Sequence, residues 1–496
     1  MPSLLLDLVL RARSADAPLT SFSLALAGAY AVEIDERGRR LGSHRLALAG
    51  EPAPGDARTF ADEAALLREV VSLVSRSESL ITAQGRQLEL PVLEALALRH
   101  AVALPGQFDA DDPYRARRSP YNVTGHLDLS SFLADGDRRL RGVPPDLLLA
   151  LALPGASPLP RRSFAQDDLA AARRRALGSY LLYLRVQRLR GALPAAETRA
   201  RLEELGKAIG EDVLEGAAWS RETLVPPPTR LAGAPAGLLA FDIETVLDVE
   251  AVARCLGKPV AGDPTAALGE LLGASTGFAP APLHRVVAVA LCHWSLRTGT
   301  VEVERLCIGG RTGTGAELRG EADLLAAFWR VAEGQRLLSY NGKRFDLPVL
   351  LYRSLPHPIE VPWYLLSQRP AHDQYRHPQS RRQLDLFDQL SGGLSPGPLG
   401  EVLQSVGLPG KLGPDGSDVQ ALWDGGQREA IGDYCLQDAA QTLLLGLRFL
   451  EVSGELDVEG ARAAVASARE RFTGEPALGP VLARAEGYFA AAGLNR

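Results

Sequence analysis

Lysine is nearly missing from this chain: of 54 basic residues only Lys207, Lys258, Lys343 and Lys411 are lysines. With a single methionine, that fits a GC-rich coding bias, yet Lys343 and Lys411 fall inside the two most motif-like loops. No apolar run reaches the roughly 18 residues a spanning helix needs, so no transmembrane helix and no membrane partner are expected. The four cysteines (Cys255, Cys292, Cys307, Cys435) lack metal-type spacing and read as reduced core residues of a cytoplasmic protein. The start, MPSLLLDLVLRARS, has an acid inside its short apolar run and no basic region before it, which makes a poor secretory signal. A formal net charge of −6 argues against a generally basic coat for nucleic acid, but leaves room for a local basic groove.

The composition is that of an ordinary soluble protein, and 496 residues exceed one typical core, so two or three domains are expected. The most informative feature is a repeated phrase. SYNGKRFDLPVL at 339–350 is answered by TAQGRQLELPVL at 82–93, with Gln84 for Asn341, Leu88 for Phe345 and Glu89 for Asp346. QLDLFDQL (383–390) is answered by HLDLSSFL (126–133), and Asp385 and Asp128 each follow their partner acid by 39 residues. TLLLGLRFLEVSGEL (442–456) answers SYLLYLRVQRLRGAL (179–193). Matches in one order and at similar spacing read as a duplication of about 200 residues, each copy a whole domain. The expected division is 1–193, then a helix and Pro/Gly linker at 194–236, a second copy at 237–456 and C-terminal helices at 457–496.

The second copy carries the chemistry. GLLAFDIETV (237–246) reads as a buried strand, and alternation puts Asp242 and Glu244 on one face. Two acids there repel and are desolvated, which a hard divalent cation would offset; alone, the pair could equally be a solvated turn. GQRLLSYNGKRFDLPVL (334–350) reads as a strand, an Asn-Gly turn and a helix start at Asp346. Asp is also a good helix N-cap, and that alternative stands. In EAIGDYCLQDAAQTLLLGLRFL (429–450), Tyr434 and Asp438 are i, i+4 neighbours on a helix.

The set FDIET, YNGKRFDLPVL, LDLFDQLSG, GLPGKLGPDGSDV and AIGDYCLQDAAQT, over roughly 236–456, resembles the DEDD exonucleases of the RNase H-like superfamily, in the subclass with Tyr in the last motif. It is most similar to a bacterial family of predicted 3′–5′ exonucleases related to the proofreading domain of family-B DNA polymerases; residues 1–193 match it more weakly. The resemblance implies an α/β fold: two tandem domains, each a mixed five-stranded sheet flanked by helices. It also implies two Mg²⁺ or Mn²⁺ ions held by Asp242, Glu244, Asp346 and Asp438, with Tyr434 orienting the attacking water. Four carboxylates suit hard cations, and a phenol of ordinary pKa near 10 suits positioning rather than bulk proton removal. Asp385 is read as support for the site, because Asp128 persists in the copy that lacks the other acids. Asn341, Lys343 and Lys411 are candidate strand contacts; for the Gly/Pro loop that carries Lys411, a plain surface connection is the alternative.

In the first copy Asp7 stands against Asp242, Val9 against Glu244, Glu89 against Asp346, Ala171 against Tyr434 and Arg175 against Asp438. A cation repels the ion that a ligand should bind, so this copy is expected to be degenerate and metal-free. It could be a packing partner. It could also be a nucleic-acid platform, with Arg115, Arg117 and Arg118 interleaved with Tyr114 and Tyr121. Two functions stand side by side: a metal-dependent 3′–5′ exonuclease acting on single-stranded ends, DNA favoured over RNA, or a non-catalytic nucleic-acid-binding or scaffold protein. The intact acid set favours the enzyme.

Overall fold

The computed structural model describes residues 3–13, 20–35, 40–105, 116–119, 122, 125–133, 164–209, 235–260, 264–272, 279–365, 371–377, 380–391, 395–412 and 418–494. Tyr114, Arg115 and Tyr121 lie outside them, as do most of the Pro/Gly linker and the 413–417 end of the Lys411 loop. The chain divides into two compact units: 1–188, 192–221 and 250–275 in the first; 189–191, 222–249 and 276–496 in the second. Among the described residues no helix is long and apolar enough to cross a membrane, and all four cysteines are free.

The first unit is built on a mixed sheet of β1 (Ser3–Ala12), β2 (Leu24–Asp35), β3 (Arg40–Leu48), β4 (Arg58–Phe60), β5 (Ser79–Thr82) and β6 (His126–Asp128), in the order β4-β3-β2-β1-β5-β6. Leu4, Leu6, Leu8 and Leu10 alternate onto one face of β1. There they meet Leu66, Leu67 and Val70 of the helix Glu63–Arg76 and Leu90, Leu93 and Leu96 of the helix Glu89–His100. Asp7 and Val9 take the opposite face.

The second unit holds β7 (Gly237–Leu247), β8 (His284–Ser295), β9 (Val301–Cys307), β10 (Arg336–Ser339) and β11 (Gln383–Asp385), in the order β11-β10-β7-β8-β9. Phe241 turns to the helix Glu321–Ala332, its ring centroid 5.2 Å from that of Phe328. Leu238 and Ala240 turn the other way, into a core with the helix Arg428–Val452. Phe472, Val481, Tyr488 and Phe489 from the C-terminal helices join this core, and the Tyr488 hydroxyl donates to Leu444 O at 2.6 Å. The segment after 456 is therefore part of the second unit's packing.

The two sheets share one pairing register. Leu80 faces Leu4 and His126 as Leu337 faces Leu239 and Gln383; Gly28 faces Ala47 as Ala288 faces Cys307. A bulge falls between Val9 and Leu10 in β1 and between Glu244 and Thr245 in β7. Just beyond it, Leu26 N donates to Glu63 Oε1 and Val286 N donates to Glu321 Oε1, both at 2.8 Å. By this register Asp7 corresponds to Asp242, Val9 to Glu244 and Asp128 to Asp385. The expectation of five strands holds for the second sheet and needs correcting for the first. There β4, three residues paired parallel to the edge of β3, adds a sixth.

Candidate metal centre

In the second unit the bulged strand β7 presents Asp242 and Glu244 on the face covered by the helix Arg428–Val452, which supplies Tyr434 and Asp438. Asp346 arrives from β10. After Ser339 the chain turns through Asn341, which takes the left-handed conformation (φ 65°) that Asn tolerates. Gly342 then passes so close to the strand end that a Cβ would lie 2.4 Å from Ser339 Oγ. The helix Asp346–Ser354 starts at once, and a buried ion cluster fixes it. Arg353 Nε and Nη2 donate to Glu321 (2.8 and 2.6 Å), and Nη1 donates to Asp248 (2.6 Å).

Glu244, Asp346 and Asp438 are all buried. Burial, and then Glu244, Asp438 and Asp346, raise the pKa of Asp242 well above the carboxylate range, against a lowering by Lys411. Burial followed by Asp438 pushes Glu244 to about 8. Burial raises Asp346 to about 7, with backbone N–H donation opposing it and Asp385 adding to it. Asp438 reaches about 6 by burial, held back by Lys411 and by the Tyr434 hydroxyl. Asp438 Oδ1 is buried without a hydrogen-bond partner. Repelling, desolvated oxygen donors with an orphaned lone pair fit a hard divalent cation, which would compensate the charge and use the oxygen.

Tyr434 hydrogen-bonds Asp438 one turn on, and Lys411 Nζ lies 2.8 Å from its hydroxyl. Lys411 thus stands at the acids. Gln441, on the Tyr434 helix, steadies this loop: its Oε1 accepts from Gly410 N at 2.9 Å and its amide donates to Gly410 O at 2.8 Å. Asp385 is fully buried and accepts from Asn341 N (2.8 Å), Lys343 N (2.9 Å) and Phe387 N (3.0 Å), clamping the turn that delivers Asp346. Asp128 does the same in the first unit, accepting from Arg86 N at 2.8 Å and Ser131 N at 2.9 Å. Cys435, read from the sequence only as core, donates its thiol to Asp242 O at 3.3 Å, and its sulfur lies within 4.8 Å of the Asp242 and Glu244 oxygens. The sequence signal for it was adjacency to Tyr434. Arg353 carried none, because nothing in its helix pattern separates a buried Arg from a solvated one.

The corresponding place in the first unit is closed by a guanidinium. Arg175 grips Asp7 through Nε (3.1 and 3.2 Å) and Nη2 (2.8 Å), and reaches Asp167 at 2.8 and 3.0 Å. All three residues are buried. Burial works to lower the Arg175 pKa, but Asp7 and Asp167 outweigh it and the pKa is raised. Elsewhere in the first unit, Arg117 donates to Val74 O (2.6 Å) and Ser77 O (2.7 Å), capping the end of the helix Glu63–Arg76. That commits its planar fork to the fold. Arg118 is exposed.

The description "predicted 3′–5′ exonuclease related to the exonuclease domain of PolB" belongs to a sequence family whose profile matches residues 56–221 and 276–480. The chain belongs to this family. No curated protein matches it. The matched stretches take in Asp346, Lys411, Tyr434 and Asp438 of the second unit and Asp128 and Arg175 of the first; β7, with Asp242 and Glu244, lies between them. The family is one of predicted nucleases, and two mixed sheets flanked by helices, with a profile match in two segments, are consistent with tandem exonuclease-like domains.

Proposed function

We propose that the second unit is a divalent-metal-dependent 3′–5′ exonuclease of the Tyr subclass. It would remove nucleotides from single-stranded ends, DNA in preference to RNA. The observation that carries this reading is the convergence of four carboxylates from a strand and two helices, three of them buried and one with an unpartnered oxygen, beside a tyrosine hydroxyl. Asp242, Glu244, Asp346 and Asp438 would hold two Mg²⁺ or Mn²⁺ ions, which when bound supply charge at the attacking and leaving oxygens of a phosphodiester. Tyr434 orients the attacking water, and Lys411, on the Tyr434 hydroxyl, fixes that hydroxyl and offers a positive charge to the phosphate. In the hydrolysis the water oxygen bonds to phosphorus, the P–O3′ bond breaks and the leaving oxygen takes a proton. Burial and the surrounding acids raise the Tyr434 pKa, which keeps the phenol protonated and able to donate.

The first unit takes no part in this chemistry on our reading, because Arg175 stands where an ion would need to be. Single-strand binding there rests on Arg118 and on Arg115, outside the described residues. The deciding experiment is digestion of end-labelled single- and double-stranded DNA and RNA in Mg²⁺, Mn²⁺ or EDTA. Wild type should shorten single strands from the 3′ end only with metal, and Asp242→Ala and Asp438→Ala should abolish this with the fold intact. Undiminished metal-dependent digestion by both variants would refute the assignment.

A further inference from the structure

Beside the acids lies a small platform of different chemistry. Lys343 Nζ and Arg344 Nη2 both reach the carboxylate of Asp388, at 3.5 and 2.8 Å. The Arg344 guanidinium lies 4.8 Å from the centroid of Phe387, and Tyr340 meets the same ring edge-on at 5.6 Å. Asp385 anchors both strips of backbone that carry these groups, through Asn341 N, Lys343 N and Phe387 N. Asp385 in turn adds to the charge felt by Asp346, so the platform adjoins the proposed metal ligands. Its side chains are part-exposed: 17% for Lys343, 33% for Arg344 and 29% for Asp388.

The degenerate copy serves as an internal control. The shared register puts Ala83, Gln87, Ser130 and Ser131 where the second unit has Tyr340, Arg344, Phe387 and Asp388. Arg86, in place of Lys343, donates to His126 O at 2.7 Å. The buried clamp Asp128 is kept. The fold therefore needs the clamp but not the aromatic pair, the Arg or the acid, and these were lost together with the metal ligands.

We propose that Asp388 is a placeholder for a backbone phosphate of the single strand. On entry the phosphate would replace the carboxylate between Lys343 and Arg344, and a base would stack on Phe387. Two cations, one of them a planar fork, suit a phosphate at least as well as a carboxylate, and the half-buried Phe387 ring is an aromatic platform of the kind that takes any base. No bond is made or broken in the exchange. This inference rests on the exonuclease reading, because it places the strand at that site.

The test is binding of a fluorescent oligothymidylate to the full chain, with Ca²⁺ replacing Mg²⁺ to hold off hydrolysis. Asp388→Asn, and Asp388→Ser with the residue found at Ser131, should each bind roughly three- to tenfold tighter, as expected for release of two part-exposed ion pairs. Asp388→Glu should stay near wild type. The gain should vanish when Lys343→Gln and Arg344→Gln are also present. The placeholder is overturned if wild type binds and the folded Asn and Ser variants bind no tighter, or if their gain survives loss of both cations. Failure of every variant and of wild type to bind single strands would bring down the exonuclease reading as well.

Discussion

The same substitution at corresponding positions of the two units should have opposite signs. Asp7→Asn removes the carboxylate that takes three of the Arg175 hydrogen bonds. Breaking one side of a buried ion pair costs about 3–5 kcal/mol. Asn keeps an acceptor and Asp167 still faces the guanidinium, so about 2–3 kcal/mol is expected here. For a unit of this size that lowers Tm by about 5–10 °C. Asp242→Asn acts on a site where, among the described residues, no guanidinium grips the acids and Lys411 bonds the Tyr434 hydroxyl. Burial, and then the charges of Glu244, Asp438 and Asp346, raise the pKa of Asp242 itself, and each tenfold change in proton affinity corresponds to about 1.4 kcal/mol. Removing one of the charges of this cluster should stabilise the metal-free second unit by about 1–2 kcal/mol at alkaline pH.

The pH dependence follows from the direction in which these carboxyls are displaced. Carboxylates raised in the folded state bind protons that the unfolded chain has already released. The metal-free second unit therefore loses stability as pH rises from about 4.5, the ordinary value for Glu244, to about 8, its folded value. Asp242→Asn should flatten that slope. Metal should reverse the ranking, because an ion at a hundred times its Kd stabilises only the intact site, by about 2.7 kcal/mol. Thermal melts in EDTA and in Mg²⁺ from pH 5 to about 9 give the totals, and hydrogen exchange at β1 and β7 assigns each change to its unit. The reasoning is refuted if Asp242→Asn melts below wild type in EDTA across this range, or if Asp7→Asn is neutral.

Tyr434→Phe should lower turnover by roughly 10² or more at saturating Mg²⁺ with Mn²⁺ affinity little changed; wild-type turnover would remove the hydroxyl from the mechanism. Lys411→Met removes the cation that lowers Asp242, Glu244 and Asp438, so the pH of half-maximal Mn²⁺ binding should move up by roughly half a pH unit or more, and an unmoved or lowered midpoint would contradict it. Asp128→Ala strands the N–H groups of Arg86 and Ser131; the first unit should lose about 1–3 kcal/mol while nuclease activity stays, and a loss of turnover without a loss of stability would assign Asp128 a different role.

The candidate site was legible in the sequence because its proposed ligands sit at fixed offsets within recognisable local patterns. A strand alternation gave Asp242 and Glu244, a turn dipeptide gave the approach to Asp346, and one helical turn gave Tyr434 and Asp438. What contacts what across the fold was not legible. Lys411 and Tyr434 are 23 positions apart and meet where Gln441 holds the loop through Gly410. Arg117 looked like a phosphate contact in an Arg-rich stretch, but a helix end with open carbonyls claimed it. Charge composition cannot separate those two uses. The sixth strand of the first sheet escaped notice because Arg58–Phe60 is three residues long, too short for an alternation pattern to register.

The weakest match in the sequence was LLLD (4–7) against LAFD (239–242), four residues with one shared acid. The sheet supplies what the letters lacked. A bulge one residue after Val9 and one residue after Glu244, flanked by the same backbone donation to Glu63 and Glu321, is hard to obtain by independent drift. It supports an origin of both units by duplication. On the proposed reading it also explains how the first copy could lack a metal site without unfolding. The surplus negative charge is the destabilising element of such a site when no ion is bound. With Val9 an acid is gone, and with Arg175 a cation lies against the one that remains. Asp128 answers to a different demand, the N–H groups of a tight turn, and those persist whether or not an ion is present.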